Sequence, residues 1–351
     1  MTAPDHGATT SYHPCVVEAV HTSHLERSPE IKSRTMRSSC PDDGSLRTMT
    51  QLVIFDCDNA MGLPARDVDD GLALLFLLAQ PGITLQGITT CFGNAPLPAV
   101  LAATQRLIDF AGIPGTPLLA GASGRGTAPT EAAHFLVEAT AREPGRIVIL
   151  ACGPLSNLAA AAALDPGFFG RCARIICMGG TVGRPRLGWR RLREINFAAD
   201  PDAARRVLAT RDCLVHVIPA TSCLDLKVGA ADLAQLNPVL RRVLWRWLVC
   251  CWLGRGLDHF VAWDLLAVLT LTHPELVEAQ NATVALGKGG VLSLTPDGHH
   301  ALVLGLRNPE AVRAVLLNAW TSDRTRASQH QSMPAEVGSK SRVSIAGGRC
   351  D

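Results

Sequence analysis

Between Gln51 and Thr221 the chain alternates short apolar runs with segments of helical period, and this alternation is the strongest constraint on its fold. The runs are QLVIFD, ITLQGITTCFG, RIVILACGP, ARIICMGG and CLVHVIPAT; between them stand DDGLALLFLLAQ, PAVLAATQRLIDFAG, LSNLAAAAAL and DPDAARRVLAT. Strands that are apolar on both faces need cover on both sides. The pattern therefore predicts an α/β fold with a mostly parallel open sheet flanked by helices, Rossmann-like in its winding. Further on, ATVALGKGGVLSL and HHALVLGL predict a late antiparallel pair. No internal repeat or boundary divides residues 49–320, which read as a single domain. Residues 1–48 and 321–351 are polar and lack a hydrophobic period, so both read as disordered. For the leader a start placed too early is the other reading, with Met49 or Met36 as the true first residue.

A chain of 351 residues with 47% apolar content can bury a large core. Its formal net charge of +2 makes no electrostatic case for nucleic acid, and small molecules are the favoured ligands. The most apolar stretch, VLWRWLVCCWLG, is interrupted by Arg246 and is shorter than the roughly 20 residues of a membrane span. It reads as a buried or interface helix. The twelve cysteines lie mostly inside apolar runs and form no zinc-type pair, which predicts reduced thiols and a cytoplasmic protein.

Ligands of such sheets gather at the carboxyl ends of the strands. Polar residues fall at those ends: Asp56 and Asp58 after the first strand, Asn94 after the second, Ser156 and Asn157 after the third, and Thr221 after the fifth. The first of these groups is unusually acidic, since Asp56, Asp58, Asp67, Asp69 and Asp70 all follow one apolar run. Helix capping accounts for Asp69 and Asp70. It does not account for five aspartates, because like charges buried together need a neutralising partner. A hard cation such as Ca²⁺ or Mg²⁺ meets that need.

Two families resemble parts of this pattern. VIFDCD is similar to the Asp-x-Asp strand end of haloacid dehalogenase-type phosphatases, which would make Asp56 a nucleophile, Asp58 an acid/base and Mg²⁺ the cofactor. That resemblance stops at Asn59 and Ala60, where the usual Gly-Thr is absent, and no late Gly-Asp-x-x-x-Asp motif follows. DCD, DVDDGLALLFLLA, GITTCFGN, ILACGPLSNLAAAAALDP, RIICMGG, EINFAADPDAARRVL and WDLLAVLTLTHPEL together resemble the inosine-uridine nucleoside hydrolase family, from about Leu52 to about Leu276.

That resemblance implies Ca²⁺-dependent hydrolysis of the N-glycosidic bond of ribonucleosides to ribose and free base, on the fold of that family. It implies a role in nucleoside catabolism and salvage, a small nucleoside as partner, and a homo-oligomer, dimer or tetramer. Asp58 takes the place of the base that activates water and also touches the metal. Asp70 and Asp264 match metal-binding carboxylates, and Cys152 stands where a backbone carbonyl reaches the ion. Asp69, Asn94, Glu194 and Asn196 match groups that hold ribose and water, and Asp56 fits a loop-organising role.

Three departures accompany the resemblance. Ten residues separate Asp58 from Asp69 where the usual motif has three, and the longer loop brings in Asp67. Trp263 replaces the histidine that protonates the leaving base. Trp263 can stack on that base, and His259 is the possible acid if its segment is helical. Gly188, in GRPRLGWRRLRE, replaces a ribose-holding Asn, and AGASGRGTAPTEAAHFL lacks the usual His-Gly closing segment. These changes leave two alternatives: hydrolysis of another N-ribosyl compound, or a weakened member that binds nucleoside or ribose.

Overall fold

The first strand, β1 (Gln51–Cys57), sends Leu52 and Ile54 into one apolar cluster and Val53, Phe55 and Cys57 into another, and all five are buried. That is the two-sided burial its uninterrupted apolar run requires. The computed structural model describes residues 50–321; the expectations for the leader and for the tail beyond Thr321 lie outside the described residues.

After β1 come α1 (Asp69–Ala79), β2 (Ile83–Thr90), α2 (Leu97–Ala111), β3 (Leu118–Ala120), α3 (Glu131–Arg142), β4 (Ile147–Ala151), α4 (Ser156–Leu164), α5 (Phe168–Arg171) and β5 (Cys172–Met178). The short strands β6 (Thr181–Val182), β7 (Arg186–Leu187) and β8 (Arg190–Arg191) precede α6 (Pro201–Leu208), β9 (Val215–Ile218) and β10 (Lys227–Gly229). Then follow α7 (Ala230–Leu233), α8 (Pro238–Arg255), β11 (His259–Val261), α9 (Leu265–Thr272), β12 (Val277–Leu286), β13 (Val291–Pro296), β14 (His300–Leu306) and α10 (Pro309–Thr321).

The main sheet has the order β3-β2-β1-β4-β5-β9-β14-β12-β13-β6. Its strands from β3 to β9 are parallel, and β14 continues parallel to β9. The expected late antiparallel pair is a three-stranded unit, β14-β12-β13. ATVALGKGGVLSL itself folds back, because Gly289 and Gly290 take φ of 66° and 80°, a conformation open to glycine at little cost.

The chain runs outward from β1 to β3, returns to β4 on the other side of β1, and continues through β5. The order of strands thus reverses between β1 and β4, and a crevice opens there at their carboxyl ends. α1 enters this crevice with Asp69 through Leu77 all buried, as an interior helix does. α8 divides its faces: Leu240, Leu244 and Leu248 are buried, while Trp245, Trp252 and Leu253 are exposed. Among the described residues no helix is long and apolar enough to cross a membrane, and all the described cysteines are free.

Candidate active site

The crevice holds a cavity of about 360 Å³. Asp58, Asp69, Asp70, Asn94, Cys152, Glu194, Asn196, Trp263 and Asp264 all line it. Residues spread over most of the domain therefore meet in one place.

Asp58 leaves the end of β1 and is clamped on both sides. Its Oδ2 accepts the backbone N–H of Asn94 at 2.5 Å, and its own N–H donates to Asp70 Oδ1 at 3.3 Å. A Cβ on Gly93 would sit 2.0 Å from Asp58 Oδ2, and Gly93 has φ of +150°; no other residue fits between this carboxylate and Pro154. Asp56 lies outside the cavity lining. Its Oδ1 accepts from Thr89 Oγ1 at 2.6 Å and Asn157 Nδ2 at 2.7 Å, and its carbonyl accepts from Cys152 N at 2.7 Å. It ties β1, β2, β4 and α4 together, a placement at odds with the nucleophile of the phosphatase resemblance. Ser156 likewise supports the fold, donating to Asp200, and Thr221 accepts from Val182 N.

Asp69, Asp70 and Asp264 each offer an oxygen within 4.8 Å of the others. Burial raises all of these carboxyls: Asp56 and Asp69 to about 6, Asp58 to about 7, and Asp67, Asp70 and Asp264 well above the ordinary carboxylate range, with neighbouring carboxylates adding to the rise in the last three. No Lys or Arg forms an ion pair with Asp58, Asp69, Asp70 or Asp264 among the described residues. Asp264 Oδ1 is buried without a hydrogen-bond partner. An all-oxygen donor set with an orphaned acceptor fits a hard divalent cation, and it is equally open to Ca²⁺ and Mg²⁺.

This electrostatic arrangement has a pH signature. Carboxyls that move from the ordinary 3.8 to about 6 or 7 on folding hold protons more tightly in the folded state. In metal-free protein their contribution to stability is full below the unfolded value and is lost as pH rises through about 7. A cation binds the ionised form and reverses the trend. The rise in Tm on adding Ca²⁺ to chelated protein is expected to be larger at about pH 8 than at about pH 5, and equal rises would exclude a carboxylate cation site.

Glu194 is a fixed acceptor, bonded by the N–H groups of Asn196, Phe197 and Ala198 at 2.6 to 2.8 Å. Asn196 Nδ2 donates to the carbonyls of Cys152 (3.3 Å) and Met178 (3.0 Å), so the carbonyl expected to reach a metal is held by Asn196.

His259 is not among the cavity residues. α8 ends at Gly256, whose φ of 69° is a left-handed cap, and the next segment is strand β11 paired antiparallel to β10. The helical condition placed on His259 is therefore unmet, and its Nδ1 lies 2.8 Å from exposed Asp258. Trp263 does line the cavity, as does Asp67 of the longer loop, and the nearby Trp263 side chain partly offsets the rise that burial gives the Asp67 carboxyl. Gly188 opens the two-residue β7–β8 turn with φ of 60°, and a Cβ there would meet the Arg255 carbonyl at 2.0 Å. A larger residue would push this hairpin off the end of α8, where Trp189 donates to the carbonyls of Arg255 and Gly254.

Sequence reasoning missed Trp247, Cys251 and Arg255, which line the cavity from α8. Their spacing of four puts them on one helical face, yet only packing reveals that this face meets the aspartates. Trp247 Nε1 and Arg255 Nη1 are buried without hydrogen-bond partners.

An acidic cavity at the switch point of a parallel sheet places the chain among α/β proteins built to bind a small polar ligand. A family model described as inosine-uridine preferring nucleoside hydrolase matches residues 53–314, and the chain belongs to that family. It is thus an N-glycosidase. A probable uridine nucleosidase 2 from Oryza sativa is 26% identical over 304 residues, covering 73% of this chain and 86% of that protein. The inosine-uridine preferring nucleoside hydrolase of Crithidia fasciculata is 31% identical over 188 residues, covering 45% and 57%. Among solved structures, a plant nucleoside hydrolase shares the fold with a TM-score of 0.69 at 21% identity, covering 78% of this chain and 99% of that one. A purine-preferring ribonucleoside hydrolase from Gardnerella vaginalis gives 0.69 at 18%, covering 79% and 100%.

Proposed function

We propose that the chain hydrolyses ribonucleosides to ribose and free base, with Ca²⁺ held by Asp58, Asp70, Asp264 and the Cys152 carbonyl. The observation that carries this reading is the buried cluster of Asp69, Asp70 and Asp264, which has no basic partner among the described residues and stands beside Asp58. When bound, the cation orients the sugar diol and makes water easier to deprotonate.

Breaking the C1′–N bond builds positive charge on the ribose ring, and buried carboxylates stabilise that charge where it forms. Asp58 takes the proton from the attacking water, held in aim by the Asn94 N–H. Asp69 accepts from a ribose hydroxyl. Glu194, Asn94 and Asn196 hold the remaining sugar and water groups. Trp263 stacks on the base. The unpartnered N–H groups of Trp247 and Arg255 suit acceptors on the leaving base. Uridine, inosine-uridine and purine all appear in the relatives' names, so base preference does not transfer.

The loss of the usual histidine at Trp263 favours a second reading, in which the protein binds nucleosides with little turnover or cleaves another N-ribosyl compound. The reading extends to a cytoplasmic homo-oligomer, supported by the free thiols and by the exposed apolar face of α8. The deciding experiment is ribose release from a panel of purine and pyrimidine ribonucleosides, with Ca²⁺ and after chelation. Chelator-sensitive release is the expected result. Binding of Ca²⁺ and nucleoside without release would select the second reading.

A further inference from the structure

A second cleft, of about 330 Å³, adjoins the carboxylate cavity and shares Leu192, Arg193 and Glu194 with it. Its character is opposite. Arg184, Arg191, Arg193 and Lys288 converge on it from the loop after β6, the β7–β8 hairpin and its exit, and the turn before β13. None of the four forms an ion pair among the described residues. The single acid in the lining is Glu194, already bonded by three backbone N–H groups. Scattered surface cations are ordinary, but four gathered from separate segments around one concavity focus a positive potential that attracts anions. Gly183 and Gly289 line it with positive φ and no atom within 4 Å of an added Cβ, which leaves room beside the backbone.

We propose that this cleft receives the phosphate of a ribonucleoside 5′-monophosphate whose sugar occupies the carboxylate cavity. The proposal rests on the hydrolase reading of that cavity. Glu194 stands at the junction, and in that reading it holds ribose, so the cleft continues from the sugar and not from the base. The 2′ and 3′ hydroxyls are taken by the acidic group and C1′ carries the base, which leaves C5′ to point into the cleft. Gly188 fits the same picture: the position lacks the ribose-holding Asn and turns a hairpin that presents Arg191. Guanidinium forks match phosphate oxygens. In the reaction, water oxygen bonds to C1′ and its proton passes to Asp58. The C1′–N bond breaks with its electron pair going to the base nitrogen, which takes up a proton, and the products are ribose 5-phosphate and free base.

The test compares nucleosides with their 5′- and 3′-monophosphates in turnover and in calorimetric binding to the full chain. The 5′-monophosphate is expected to exceed its nucleoside in kcat/KM by on the order of 10-fold or more, a preference that falls with added salt. The triple variant Arg184→Gln, Arg191→Gln, Lys288→Gln should lose that preference and leave nucleoside turnover unchanged. Equal or better use of nucleosides, equal use of the 3′ isomer, or a variant that depresses both substrates alike would overturn the proposal. If nothing is hydrolysed, tighter binding of the 5′-monophosphate that the variant abolishes upholds the phosphate site while the hydrolase reading falls. Equal binding removes both.

Discussion

Asp58→Asn is expected to lower kcat by about 10³-fold, within the range of roughly 10² to 10⁴ for loss of a general base, with little change in Tm. The amide retains the shape of the carboxylate and an oxygen to accept the Asn94 N–H, so the clamp formed by Asn94 and Gly93 persists. It cannot accept a proton from water. It also removes one negative charge from a group in which Asp58 raises both Asp70 and Asp264, so any small change in stability without cation should be a gain. Steady-state ribose release, a thermal melt and a calcium titration on the same variant separate the possibilities. Retained calcium binding with lost turnover identifies the base, and weakened calcium binding adds the role of ligand. A variant as active as the parent removes Asp58 from both.

Asp264→Asn should change stability in opposite directions with and without Ca²⁺. Asp264 is buried, its Oδ1 has no partner, and Asp69, Asp70 and Asp58 add repulsion to the cost of desolvation. Neutralising it relieves a buried acid that nothing compensates, so the chelated variant is expected to melt higher than the chelated parent above about pH 7. The same change removes a donor from the cation site. Calcium affinity should fall by about 100-fold or more, at least the loss seen when groups around a metal are altered, and the calcium-induced rise in Tm should largely vanish. A purely structural Asp264 predicts something else. It precedes α9 without making a side-chain cap, so a structural role would leave the two melts shifted equally. Equal shifts would exclude it from the ligand set.

Much of this site is legible in the order of residues along the chain, for a definite reason. In a parallel sheet, strand ends map onto one edge, and an apolar run followed by polar residues marks such an end. Asp58, Asn94 and Cys152 follow β1, β2 and β4 in this way, and Asp69 and Asp70 open α1 in the crevice. The resemblance in motif order adds Asp264, which no local signal connects to them. The helical reading of His259 fails because the cap at Gly256 and the pairing of β11 with β10 override any helical spacing across residues 256–263.

The sequence by itself determined a two-sided parallel sheet and the acidic residues at its carboxyl edge, because burial on both faces and the period of apolar residues are local properties of the chain. Only the tertiary structure decided that Asp56 faces Asn157, 101 residues away, and not the cavity. It alone joined α8 to the aspartates, set Asp67 against Trp263, and gathered Arg184, Arg191, Arg193 and Lys288 around one cleft. Those are contacts between surfaces of separate elements. They depend on how the helices and hairpin dock on the sheet, and docking is settled by the packing of the whole core.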